Sequence, residues 1–297
     1  MADNTILNLG SGGDTIATDD IGGVKHQRVK IQHGAEGSAT DVSTASPLPT
    51  TNSALAIAKG EIPSQASFLK FGKNPDIGTA AGEDIWGGGG TYTGFPVGVV
   101  ETMEVFSSAA ADTSAGTGAR TVEISNLLDG TGAVMPAVTV SLSGTTPVSL
   151  GAQTYSRASR MKVITAGTGG ENEGTITLRH TTTTANIFAV MPLLANQTEI
   201  ACYTVPLGHT LYVNHVGAQM TMGGGTAKRA NMSLRARPLG ETFQSKLTPT
   251  ISDGYGYTLN GYNFVFEART DIKWRADSVS NNLTIVSSTI SGILVTD

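Results

Sequence analysis

Residues 120–142 read RTVEISNLLDGTGAVMPAVTVSL. Val122 and Ile124 alternate with Glu123 and Ser125, and Val138, Val140 and Leu142 alternate with Thr139 and Ser141. A period of two puts one set of side chains on one face of an extended segment, so each run predicts a half-buried strand. The cluster Asp129-Gly130-Thr131-Gly132 between them has the residue types of a turn. Short alternating strands joined by close-spaced turns predict an all-β sandwich or jelly roll.

The pattern extends outward in both directions. Ile176 and Leu178 alternate with Thr175, Thr177 and Arg179, and turn clusters recur at Ser143-Gly144 and Gly167-Thr168-Gly169-Gly170. The last third repeats it with Leu211 and Val213, with Met232, Leu234 and Ala236, with Tyr262, Phe264 and Phe266, with Ile272 and Trp274, and with Leu283 and Ile285. The closing Ile290–Val295 run is apolar apart from Ser291 and Gly292, as in a strand covered on both faces. No fixed repeat of solenoid or propeller length is visible. Composition agrees: of 297 residues, 37 are glycine and only 14% are charged, a profile of strands and turns rather than long amphipathic helices.

The first third differs. Val29 and Ile31 alternate with charged neighbours in Arg28–Gln32 and predict one strand, preceded by Gly22-Gly23. Pro47, Leu48 and Pro49 favour an extended path, and Gly87–Gly90 has no side chains to pack. Such a segment buries little apolar surface alone, so residues 1–96 are expected to form an extended docking arm ordered by contact with other subunits. Residues 97–169 are expected to form a β domain and 170–297 a second sandwich or jelly roll, with 97–297 as a single unit the alternative. The candidate docking residues are Val24, His26, Val29, Ile31, Pro47, Leu48 and Pro49.

The search for chemistry yields little. A net charge of −5 without a basic run argues against a nucleic-acid partner. The single cysteine, Cys202, excludes an internal disulfide and reads as a buried small hydrophobe. His209 and His215 share a face of a straight strand but lie about 20 Å apart along it, too far to share a metal. Ser67-Phe68-Leu69-Lys70 matches a Ser-x-x-Lys pattern without its companion motifs, and no nucleophile elbow or phosphate loop occurs. The carboxylates Asp112, Asp129, Glu171, Glu173, Asp253, Asp271 and Asp277 mostly sit beside turn residues, which explains them without catalysis. No catalytic residue, cofactor or metal site is expected. Phe264 and Phe266 read as core, while Trp86, Tyr255 and Tyr257 are the candidate interface aromatics. The opening MADNTILNLGSGGDT lacks the basic and apolar regions of a secretory leader, and no run is apolar enough for a membrane span.

The stretch DTIATDDIGGVKHQRVK at 14–30, continuing through HGAEGSATDVSTASPLP, resembles segments near the start of structural proteins of tailed bacteriophages. NPDIGTAAGEDIWGGGGTYTGFP at 74–96, DTSAGTGARTVEISNLLDGTGA at 112–133 and TDIKWRADSVSNNLTIVSSTISGILV at 270–295 are similar to phage virion proteins as well. The resemblance covers about half of the chain and implies a virion location after assembly in the bacterial host cytoplasm, partnership with other virion proteins and no catalytic role. The expectation is a fibre-like tail or neck appendage anchored by its arm, closing as a homotrimer by cyclic symmetry. The alternatives are a capsid decoration protein and, from another class, a glycan-binding or glycan-cleaving receptor protein.

Overall fold

Alternation of buried and more open side chains marks strands such as Met103–Ser107, Ile176–His180 and Thr284–Thr296 of the computed structural model, which describes residues 5–6, 15–16, 18–27, 29, 31–33, 37, 40–45, 53–221 and 228–297. The chain is nearly all β, with one short helix, Ser53–Ala58, among the described residues, and it divides into two units, 1–56 and 57–297.

In the first unit, Thr18–Ile21 pairs with Val24–Gln27 across Gly22-Gly23. Both glycines have positive φ, 63° and 85°, the backbone that a two-residue hairpin turn of the favoured hand demands. That turn fixes the register at Ile21 opposite Val24, and the strand it opens, Val24–Gln27, ends before the expected Arg28–Gln32 strand; Val29 and Ile31 lie outside the strands. Gln32–His33 pairs with Thr40–Asp41. Pro47, Leu48 and Pro49 lie outside the described residues.

The second unit holds a jelly-roll body. Its successive strand positions are Gln65–Ile77; Glu83–Asp84 together with Cys202–Thr204; His209–Thr221; Arg229–Arg237; Gln244–Leu247 with Thr250–Ser252; Tyr257–Phe266; Asp271–Val279; and Thr284–Thr296. One sheet runs sixth, third, eighth, first; the other runs second, seventh, fourth, fifth, all antiparallel. That interleaving of distant strands in two facing sheets is the jelly-roll order. Between the sheets pack Trp274, Ile272, Leu234, Val213, Val286 and Ile290. Each such side chain contributes roughly 1.5–3 kcal/mol on leaving water. The Thr284–Thr296 strand, expected to be covered on both faces, instead alternates: Ile290 and Gly292 are buried, and Ser291 and Ile293 are half-buried, so only its core-facing side is fully covered.

Two expectations of domain organisation are corrected. The expected arm of 1–96 is too long, since Gln65–Ile77 forms a full pairing with Thr284–Thr296 in the body. The strand crosses so closely over the neighbouring sheet that a Cβ on Gly72 would stand 2.3 Å from the Ala201 amide nitrogen. Nor does the chain divide at Gly167–Gly170. Both halves of the second strand position pair with Asp271–Val279, and everything between them is an inserted module. That module stacks Val138–Ser141, Ala119–Ser125 and Arg160–Ala166 on Val148–Ser149, Met103–Ser107, Ile176–His180 and Ile187–Met191, around Met103, Val122, Ile124, Met161, Leu178 and Phe188. Gly167–Gly170 is a tight backbone crossing inside it: the Gly167 amide donates to Gly118 O at 2.8 Å, and a Cβ there would lie 2.1 Å from Gly116 O.

Candidate functional site

Among the described residues, the first unit exposes several large apolar side chains. Val29 is 77% exposed, Ile21 62%, Ile31 59% and Val24 58%, and His26 is open as well. Ile21 and Val24 flank the turn of a two-stranded pairing, and an isolated hairpin is marginal in water.

In the second unit, module and body are tied by a polar junction. Asp271 is almost fully buried, and its Oδ1 accepts from Arg157 Nε at 3.1 Å and Thr204 Oγ1 at 2.6 Å, while Oδ2 accepts from Arg157 Nη2 at 3.1 Å and Arg237 Nη2 at 2.5 Å. Arg157 also donates to Pro96 O at 2.8 Å. Asp84, wholly buried, accepts from Lys273 at 2.8 Å, from Arg275 at 3.3 Å and from the Tyr92 amide at 2.7 Å. Asp277 pairs with Arg235 and, at 3.5 Å, with Arg275. The Phe243 ring lies under two cations, Arg237 at 4.5 Å and Lys273 at 4.6 Å. Lys70, which the body buries on its first strand, donates to Ser159 O of the module at 2.5 Å. Burial pushes its ammonium down to about 7, with Arg160 adding to the shift and the Cys202 thiol opposing it.

A cleft of about 300 Å³ opens beside this junction, lined from the module by Leu128, Gly132 and Arg157 and from the body by Arg237, Arg269 and Asp271.

The structure redistributes the residues singled out in the sequence. Trp86, expected at an interface, is 3% exposed and meets Tyr92 edge-on at 5.1 Å in a small core with Phe95, Val190, Ile200 and Cys202. The glycine run after it forms a turn capped by Glu83, whose carboxylate accepts from the Gly78 and Gly90 amides, so Trp86 folds inward rather than outward. Tyr255 is 76% exposed beside the Gly254 turn, whereas Tyr257 is half-buried against the body's core. Cys202 is fully buried, and burial pushes its thiol well up.

Of the carboxylates named above, Asp112, Asp129, Asp271 and Asp277 are engaged by donors. Asp112 accepts from the Ala119, Glu173 and Gly174 amides and from Ser107 Oγ, at 2.6–2.9 Å. Asp129 is a turn former bonded to Thr131 and Ala133. Ser67 and Lys70 lie three residues apart on one strand, on opposite faces, the first exposed and the second buried, so no Ser–Lys dyad forms. His209 and His215 do not share a face regularly, because a bulge shifts the register between Val213 and His215. Among the described residues no group of three His, Cys, Asp or Glu stands close enough to hold a metal ion, and no helix is long and apolar enough to cross a membrane. Sequence reasoning missed the charged junction, whose members are scattered from Asp84 to Asp277. The one local signal was the density of charge in DIKWRAD at 271–277 within a chain otherwise poor in it.

Comparison with protein-family models, with curated proteins and with solved structures finds no match.

Proposed function

We propose that this chain is a structural component of a tailed-phage virion, an appendage of the tail or neck that docks through its N-terminal unit. The observation that carries the reading is the exposure of Ile21, Val24, Val29 and Ile31 among the described residues of the first unit. Apolar surface of that kind marks an interaction site, and its burial on a partner is worth about 25 cal/mol per Å² before the costs of association. The resemblance of residues 14–49 to the opening segments of phage structural proteins supplies the partner class, other virion proteins. The jelly-roll body supports the reading by analogy, since viral capsid domains use that fold, although a fold by itself does not fix a function. Self-association by cyclic symmetry, as a trimer, is part of the proposal.

The test is deletion of residues 1–52, leaving the body intact. Truncated protein should keep its β circular dichroism and fail to enter particles; incorporation at the normal level would overturn docking through this unit. Copy number separates the places on the particle: tens of copies support an appendage, and hundreds a decoration protein bracing the capsid. Jelly rolls also serve lectins, which keeps a glycan-binding receptor role as the second reading. Titration with host surface polysaccharide, watching for binding and for chain shortening, tests it.

A further inference from the structure

The junction cleft has a charge and shape that the structural role does not use. Its charged lining residues are Arg157, Arg237, Arg269, Asp271 and Glu241, so in a chain of net charge −5 this hollow carries a surplus of one positive charge. Asp271 is already shared by Arg157 and Arg237. Glu241 is exposed. Arg269 has no hydrogen bond or ion pair to its guanidinium among the described residues, although it is only partly exposed.

Backbone contacts rather than a counter-ion place Arg269. Its φ is 64°, in the left-handed region that a non-glycine residue enters at a cost, and its amide donates to Val205 O at 2.7 Å. Its stem lies over Gly132 of the module, where φ is 90° and a Cβ would come 3.2 Å from Arg269 Cγ. Gly132 O in turn accepts from the Leu207 amide at 2.8 Å. A cation is therefore held in a strained conformation, against a bare stretch of backbone, in a cleft. Around it stand three of the molecule's exposed aliphatic side chains: Val97 (71%), Leu239 (53%) and Val100 (40%).

We infer that this cleft binds a small organic carboxylate with a short aliphatic body, the carboxylate on Arg269 and the body against Val97, Val100 and Leu239. A guanidinium presents parallel donors that match a carboxylate, and the cleft's volume is at the small end of ligand pockets. The carboxylate belongs either to a free acid or to the end of a peptide, and two probes distinguish these sources: hexanoate, and an N-acetylated dipeptide ending in leucine.

Titration of the full-length protein at low salt, followed by NMR or calorimetry, should show saturable binding of the better probe with a Kd of about 1 mM. Hexanamide, which keeps the body and loses the charge, should bind at least tenfold more weakly. Arg269→Gly suits the positive φ, so it preserves the fold while removing the cation; it should lower affinity for the carboxylate at least tenfold and leave the weak binding of hexanamide unchanged. Leu239→Ser should weaken both. Equal binding of hexanoate and hexanamide, unchanged affinity in Arg269→Gly, or no saturation by either carboxylate up to about 20 mM would each overturn the site.

Discussion

Replacing Lys70 with methionine isolates the cost of one buried cation. Lys70 is 4% exposed, and its Nζ has Ser159 O as its hydrogen-bond acceptor. Burial lowers its pKa from 10.5 to about 7. The unfolded chain therefore holds this proton up to about pH 10.5 and the folded chain only up to about pH 7. The folded state pays its full penalty below pH 7, and stability rises with pH between the two values by about 1.4 kcal/mol per unit. Over the whole interval this is about 5 kcal/mol. Methionine removes the penalty and fills similar space, but orphans the Ser159 carbonyl at about 1–3 kcal/mol. At pH 6 Lys70→Met should then be more stable than the parent by about 2–4 kcal/mol, a rise in Tm of roughly 5–10 °C for a unit of this size. Near pH 10 the sign reverses, because little penalty is left and the lost hydrogen bond is not. Urea denaturation of both proteins from pH 6 to 10 measures the difference, in which all other titrating groups cancel. A difference that does not change with pH would refute the reasoning.

Three further outcomes follow from buried contacts. His180 is fully buried between Tyr155 O and the Asn186 amide, and burial pushes its imidazole pKa below the ordinary 6.5. The neutral ring's contribution is present above that value and lost as pH falls through the depressed one, so His180→Gln should flatten the melting-temperature profile below pH 6.5. Asp112→Ala strands three backbone amides in the module and should cost about 3–5 kcal/mol in urea denaturation, with a loss below 1 kcal/mol contradicting its role. Gly72→Val forces a side chain into the Ala201 backbone and should cost more than about 3 kcal/mol or prevent folding, read from the yield and melting of soluble protein.

The all-β character was legible because Val122, Ile124, Ile176, Leu178, Leu211 and Val213 alternate with polar neighbours and are all buried. Alternation reports which face of a strand is covered, not which strand lies beside it. The partner of Gln65–Ile77 is Thr284–Thr296, at the other end of the chain, and that pairing leaves no local trace. Glycine misled in a specific way. Glycine clusters signal both a loose linker and a place where backbones cross too closely for a Cβ, and Gly167 is of the second kind. Trp86, expected at an interface, is seated inward by a turn in which Glu83 accepts from the Gly90 amide and the indole donates to Gly90 O, neither of which leaves a pattern in the local sequence.

How the chain spends its few charges follows from the insertion. A module entering and leaving through one strand position could pivot about that pair of connections if only apolar surface held it, since hydrophobic contact has no preferred direction. Here Arg157 of the module reaches Asp271 of the body with two hydrogen bonds, Lys70 of the body reaches Ser159 of the module, and Tyr92 on the connecting segment donates to Phe188 O at 2.9 Å. Buried ion pairs are poor sources of net stability, because desolvation offsets most of their attraction. They are strict about geometry, since a small rotation would leave Asp271 or Arg157 unpaired in a dry site at a cost of several kcal/mol. The junction therefore reads as a device for fixing orientation, and the cleft beside it owes its shape, and the placement of Arg269 against Gly132, to that fixed orientation.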